Sequence, residues 1–508
     1  MSEMKKKDVM DGPEVPRTAL SNQEIEEGLR GIIRSGLATR AMSTFTGGAF
    51  LVAFALKLGA SNFVIGLLAA IPALAQLLQI PSVYLVERIR NRRAIAVTAS
   101  ASDRFFWLFV AAVPFLFPHE VALVLVLVAI LLHSSLSAVV NCSWNSWMRD
   151  LVPQESLGTF FATRMRLMTG LGIVLSLTAG FYIDYWKKLF PENELYAYSV
   201  LFVSGFVIGM VGIYFMTTIP EPPMAPREQE TGFLDTLLQP FRDTDFRELI
   251  LFLGSWNFAV NLAAPFFTVY MLKKLQLSMS FIVVLTVLSQ MMNFTFLRIW
   301  GKFSDRYTNK SVLGVSGPVF IACILAFAFT TMPEKYVLTI PLLIVIHVFM
   351  GIATAGVTLA SGNIGLKLAP KGQATSYLAA NSIVNSFAAG IAPVIGGKFA
   401  DFFATRQLSL MFRWTSPGRD LTFQTFHFQH WDFFFLFAFL FGLYSIHRLT
   451  RVKETGAVEE KIVVHELISE VRNEIRNLST ANGLRDMVAF PFGVARSTLW
   501  GINPRKRS

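Results

Sequence analysis

Within TASASDRFFWLFVAAV, residues 98–113, Asp103 and Arg104 are the only charged side chains in an otherwise apolar run. A carboxylate in such surroundings can bind and release a proton, the chemistry of a relay or of ion-coupled transport. Beside a guanidinium it can equally form an internal ion pair that neutralises both groups. His133 and His347, each inside an apolar run, are the other candidate proton carriers. Neutral polar side chains accompany them at helical spacing. His133, Ser137, Asn141 and Asn145 lie four apart, and His347, Gly351, Thr354, Thr358 and Ser361 alternate steps of four and three. Asn257 and Asn261 are again four apart, ahead of Pro265, and Thr39, Ser43 and Thr46 form a shorter set. Each set falls near one face of a helix. Such stripes can hydrogen-bond a small solute, although the same residue types also hold membrane helices together by close packing. Ser43, Asn141, Asn257, Asn261, His347, Thr354 and Thr358 are the candidate cavity residues, and Asp103, His133 and His347 the candidate proton-coupling residues.

The elements that must position these residues follow from composition. With 508 residues, 53% of them hydrophobic and 16% charged, and a mean hydropathy of +0.50, the chain is too apolar for an ordinary soluble protein. Apolar stretches of about 20 residues, the length a helix needs to cross a hydrocarbon core, predict an all-α membrane protein of twelve spans. The first six are 36–57, 62–85, 93–117, 121–147, 159–185 and 197–218; the second six are 248–272, 278–302, 311–332, 336–365, 373–402 and 431–449. Asp103 lies ten residues beyond Arg93, which puts it about 15 Å along a helix and near mid-membrane. Residues 1–35 read as a polar cytoplasmic segment with no apolar signal sequence, and 219–247 as a cytoplasmic linker. Residues 450–508 read as a cytoplasmic tail with an amphipathic helix over 458–478.

The net charge of +11 is dispersed through short loops and tails, which fits positive-inside topology and not a nucleic-acid surface. Arg88, Arg90, Arg92 and Arg93, with Lys302, Arg306 and Lys310, fall on one side, predicting a multi-pass cytoplasmic (inner) membrane protein with both termini in the cytoplasm. Cys142 and Cys323 are the only cysteines and sit in apolar spans, so neither a disulfide framework nor a thiolate metal site is expected. HEVAL and HELIS lack the second histidine of a zinc-protease helix, and no phosphate-binding loop occurs; no enzyme activity, metal or cofactor is expected.

The chain also repeats. In YLVERIRNRR and GKFSDRYTNK, Arg306 follows Arg88 by 218 residues, and in RDLVPQESLGTFF and LKLAPKGQATSY, Pro370 follows Pro153 by 217. Two unrelated landmarks sharing one period indicate a duplicated six-helix unit. Here the sequence resembles the major facilitator superfamily, whose signature after the second and eighth helices is Gly-x-x-x-Asp-Arg-x-Gly-Arg-Lys/Arg. Gly301, Asp305, Arg306 and Lys310 match it, with Thr308 and Asn309 replacing the later Gly and Arg; the first copy has Val83 for Gly and Glu87 for Asp but keeps Arg88, Arg92 and Arg93. NSWMRDLVP, PFFTVYML and APVIGG are similar to a bacterial subgroup of that family.

The resemblance implies two six-helix halves that rock around a central cavity lined by spans 1, 4, 7 and 10, with the signature acid locking the halves in one access state. Glu87, Arg88, Gly301, Asp305, Arg306 and Lys310 are then the gating candidates, joined by Arg149, Asp150, Glu155 and Arg164, whose ion pairs could differ between access states. The expected function is secondary active transport of a small organic solute by a monomer in the lipid bilayer, with protons as the candidate coupling ion. The alternative is a transport-inactive sensor or scaffold acting through its tail.

Overall fold

The computed structural model describes residues 20–153, 156–224, 233–331, 335–370, 374–416, 419–454, 462–463 and 465–469. The first span is two helices, α1 (Asn22–Thr46) and α2 (Gly48–Lys57), divided at Gly47. The chain becomes helical well before position 36 because Ser21 and Glu24 form a capping box: the Ser21 hydroxyl accepts from Glu24 N, and the Glu24 carboxylate accepts from Ser21 N at 2.8 Å. Hydropathy marks only the apolar part of this helix.

The second span is α3 (Asn62–Ala75), a 3-10 turn (Gln76–Leu78) and α4 (Gln79–Ile89). Then come α5 (Arg92–Leu116), α6 (His119–Leu151), α7 (Leu157–Leu189) and α8 (Glu194–Thr217). A linker helix, α9 (Phe233–Arg242), precedes α10 (Thr244–Val269), which continues through a π turn at Tyr270–Lys274. The remainder are α11 (Met279–Arg306), α12 (Asn309–Ala326), α13 (Thr339–Leu368), α14 (Ala374–Phe403) and α15 (Trp431–Arg451). Among the described residues eleven helical segments are long and apolar enough to span a bilayer; broken α1–α2 is the twelfth. One element goes beyond the predicted all-α plan: an antiparallel hairpin of β1 (Gln407–Ser416) and β2 (Arg419–Gln429) between α14 and α15.

The spans form two pseudo-symmetric six-helix bundles. In one, α5 packs on α6 and α8, and α1 on α8; in the other, α13 packs on α11 and α12, and α10 on α14 and α15. The bundles meet where α3 packs on α14 and α7 on α11. This seam lies at the face opposite the linker, called here the far face. Only glycine fits at its tightest points: a Cβ at Gly66 would overlap the Pro393 carbonyl, and one at Gly397 would lie 2.7 Å from Phe63 Cα. At the linker face the polar sides of α6 and α13 are bare, with Asn141, Asn145, Thr358 and Asn363 exposed. The molecule is closed at the far face and open at the linker face.

The far face also holds His430, between the hairpin and α15, at φ +36° with its ring stacked on Trp431 at 4.4 Å and its Nε2 buried without a partner. Burial pushes its pKa down to about 4; Lys274 and Lys273 push the same way, against Asp401 and the Ala400 backbone. The folded protein keeps this imidazole neutral, while the unfolded chain takes up a proton below about pH 6.5. Stability is therefore expected to fall as pH drops from about 6.5 toward 4. Melting curves in detergent should show a shallower loss over that range for His430→Asn; equal slopes would contradict this.

Candidate functional site

Between the bundles, beneath the far-face seam, lies a cavity of about 640 Å³ walled by α1, α2, α3, α5, α6, α10 and α11. Its polar lining is Ser43, Thr46, Gln76, His133, Ser134, Ser137, Thr268 and Thr286, set among apolar side chains that include Trp107 and Pro265. No Lys, Arg, Asp or Glu lies among its lining residues. The break at Gly47 brings backbone as well as side chains to this wall, where irregular backbone is tolerated because it faces a cavity.

Asp103 sits one layer behind. Its side chain is buried; one oxygen accepts from Ser137 Oγ at 2.9 Å and stands 4.0 Å from His133 Nδ1, while the other is buried without a hydrogen-bond partner. His133 Nδ1 also lies 3.1 Å from the Asp103 carbonyl, and its ring meets Trp107 edge-on at 5.1 Å. Arg104 turns the other way, donating to the Gly209 carbonyl on α8 and reaching Thr39 Oγ1 at 3.5 Å. The adjacent acid and base thus have separate partners: Asp103 faces the cavity wall on α6, and Arg104 ties α5 to α8 and α1.

The remaining cavity candidates are spread more widely. Ser43 lines the cavity, donating its hydroxyl to the Arg40 carbonyl at 3.0 Å, and Asn141 is exposed in the open mouth. Asn257 and Asn261 donate to carbonyls of their own helix, Leu253 at 2.9 Å and Asn257 at 2.8 Å. Thr354 bonds the Met350 carbonyl at 2.6 Å, and Thr358 is exposed. His347 is buried in the second bundle, with Nδ1 2.8 Å from the Leu343 carbonyl and its ring against Phe327, and is not among the cavity lining. Gln76, Ser134, Thr268 and Thr286 are lining residues that the stripes did not single out, although Gln76, a lone amide within ALAQLL, carried a readable signal.

At the linker face the two signature copies hold matching networks. Glu221, just after α8, accepts from Arg92 N at 2.7 Å and Arg93 N at 3.1 Å, capping α5. Glu454, just after α15, accepts from Lys310 N at 2.7 Å and from Asn309 Nδ2 at 3.2 Å, capping α12, and pairs with Lys367 at 2.9 Å. The two residues that replace the family pattern therefore have work here, since Thr308 also N-caps α12 by accepting from Ser311 N at 3.1 Å. Arg92, fully buried, binds Asp150, Glu221 and the Pro222 carbonyl. Arg92→Ala should cost about 3–5 kcal/mol, because it removes the buried guanidinium paired with Glu221 and leaves that carboxylate only its two backbone N–H donors; half-exposed Asp150 adds little. A melting temperature in detergent close to that of the parent would refute this.

The other gating candidates are looser. Gly301 has no atom closer than Leu359, 3.8 Å from a Cβ built on it, and Glu87 is half-buried. Arg88, Arg149 and Asp305 are exposed. Arg164 packs its guanidinium against Gly36 and over the Trp144 ring at 5.9 Å. Arg306 bonds Glu466 of the tail at 2.6 Å, next to Val463, which is buried. Glu155 and most of the tail helix expected over 458–478 lie outside the described residues.

Comparison with known proteins agrees with this architecture. The sequence matches the family described as Major Facilitator Superfamily over residues 35–393 and again over 257–444. No curated protein sequence matches. Among solved structures of similar fold, the nucleoside transporter NupG superposes with a TM-score of 0.58 at 13% identity, covering 85% of this chain and 99% of that one. A D-xylose-proton symporter gives 0.58 at 14% identity, with 86% and 99% covered. A bacterial homologue of the iron transporter ferroportin, in an inward-facing state, gives 0.58 at 12%, with 85% and 99% covered.

Proposed function

Because this chain belongs to the Major Facilitator Superfamily, we propose that it is a secondary active transporter that carries a small organic solute through the cavity between its bundles, coupled to protons at Asp103. The carrying observation is the buried Asp103 carboxylate behind the cavity wall, with one oxygen on Ser137 and the other unpartnered. A buried charge that is only partly hydrogen-bonded is costly, and a proton arriving from the cavity through His133 would neutralise it. The wall offers hydroxyls, an amide and an imidazole without fixed charge. This favours a solute whose bound portion is uncharged, with a few hydroxyl or carbonyl groups on an apolar frame. Positive-inside bias supports a cytoplasmic linker face in the inner membrane, with both termini on that side and the monomer as working unit.

A thermal-shift screen against a metabolite library identifies the solute, since a ligand of the folded state raises its melting temperature. Uptake of that solute into proteoliposomes is then expected to be concentrative only with an imposed pH gradient. No flux for any binding solute, together with a stable tail-dependent complex with a cytoplasmic protein, would replace this reading by the scaffold one, which the contact between Arg306 and Glu466 favours.

A further inference from the structure

The far-face seam carries two carboxylates that cross from one bundle to the other. Asp184, near the end of α7, accepts from Met279 N at 3.0 Å and Ser280 N at 2.8 Å, the first N–H groups of α11. Asp401, near the end of α14, accepts from Asn62 N at 3.1 Å and Phe63 N at 2.9 Å, the first of α3, and from Asn62 Nδ2 at 2.9 Å. The contacts are equivalent: Asp401 follows Asp184 by 217 residues, Met279 follows Asn62 by 217 and Ser280 follows Phe63 by 217. A glycine stands four residues before each acid, Gly180 and Gly397, and each presses on the helix that its acid caps. A Cβ at Gly180 would lie 3.2 Å from Ser280 Cα.

The same Gly-x-x-x-Asp spacing recurs at Gly301 and Asp305, on the opposite face. Inverted repeats nested within each half of such transporters relate the second span of a half to its fifth, and so carry the linker-face end of α11 onto the far-face end of α14. The far-face acids thus occupy the inverted counterparts of the signature acid.

We propose that Asp184 and Asp401 are paired latches that hold the far face shut, each by capping a helix N-terminus of the opposite bundle. Both latches must release before the cavity can open to the far side. Free N–H groups at a helix start carry partial positive charge, and a carboxylate spanning two of them uses both oxygens. Asparagine keeps the shape but offers one acceptor, turns an NH₂ toward the second N–H and removes the charge. Each latch contributes on the order of a tenfold bias, and two well-separated latches on the order of a hundredfold.

The test needs neither solute nor protons, so it is independent of the transport reading. Spin labels introduced by Lys188→Cys and Ala404→Cys, in a Cys142→Ser, Cys323→Ser background, report the distance between the far-face ends of the two bundles by double electron–electron resonance. The parent should give one short distance. Asp184→Asn and Asp401→Asn should each raise the ratio of a longer population about tenfold, and the double variant about a hundredfold. An unchanged distribution in a double variant that melts like the parent would overturn the proposal. If the double variant does not fold, unchanged distributions in both single variants would overturn it equally.

Discussion

Asp103→Asn is expected to abolish accumulation of solute against a gradient while exchange of solute across the bilayer continues. Asparagine retains the size of the side chain and can still accept from Ser137 Oγ, 2.9 Å away in the parent, so the wall carrying Ser137 and His133 should keep its shape. What disappears is the group that can take and lose a proton. Solute would still bind and the bundles would still rock, but each cycle would return a complex uncoupled from the pH gradient. The accumulation ratio should fall to about one, because without coupled free energy a carrier can only equilibrate its solute. The dependence of uptake rate on pH should flatten in parallel, and the melting temperature should hold, since the parent already leaves one Asp103 oxygen without a partner. Concentrative uptake that persists in Asp103→Asn would remove this residue from the coupling step. The separate bonding of Arg104 sharpens the test: its hydrogen bonds run to Gly209 and Thr39, so neutralising Asp103 removes a neighbouring charge from Arg104 but none of its hydrogen-bond partners.

Hydropathy made the spans legible, because a bilayer demands long uninterrupted apolar helices. It could not show the break at Gly47 or the start of α1 at Asn22, which depend on local backbone and on a capping box among polar residues. The β1–β2 hairpin lies outside the spans, where hydropathy carries no signal, although Phe426 and Phe428 alternating with His427 and Gln429 hinted at a strand. Periodicity grouped the polar residues into stripes, but it cannot say which neighbour a stripe meets. His133 and His347 look alike in sequence, yet one lines the cavity beside Asp103 and the other bonds its own helix against Phe327. Offsets of 218 and 217 residues were visible in two motifs, and an offset of 217 also relates Asp184 and Asp401, whose meaning appears only when each is seen to cap a helix more than ninety residues away.

Asp305→Asn should slow turnover about tenfold while leaving solute affinity and melting temperature near those of the parent. In the linker-face-open form Asp305 is exposed, and among the described residues no hydrogen bond or ion pair involves it, so replacing it costs this form nothing. Any cost must fall on the opposite form, in which the linker face closes and the acid can reach a helix N-terminus of the other bundle, as Asp184 does on the far face. Losing about 1.4 kcal/mol from that form lowers its population about tenfold, and flux through it falls in proportion. Stopped-flow binding and proteoliposome turnover separate the two quantities; weakened binding with normal turnover would refute the assignment. Combining Asp305→Asn with Asp401→Asn goes further, because the two changes weaken opposite forms. If capping energies set the balance, the pair should restore the ratio of open and closed populations toward the parent value, with a melting temperature below that of Asp305→Asn. A simple addition of two losses in turnover, with no recovery of the population ratio, would mean that the acids act locally and not as opposing weights on one equilibrium.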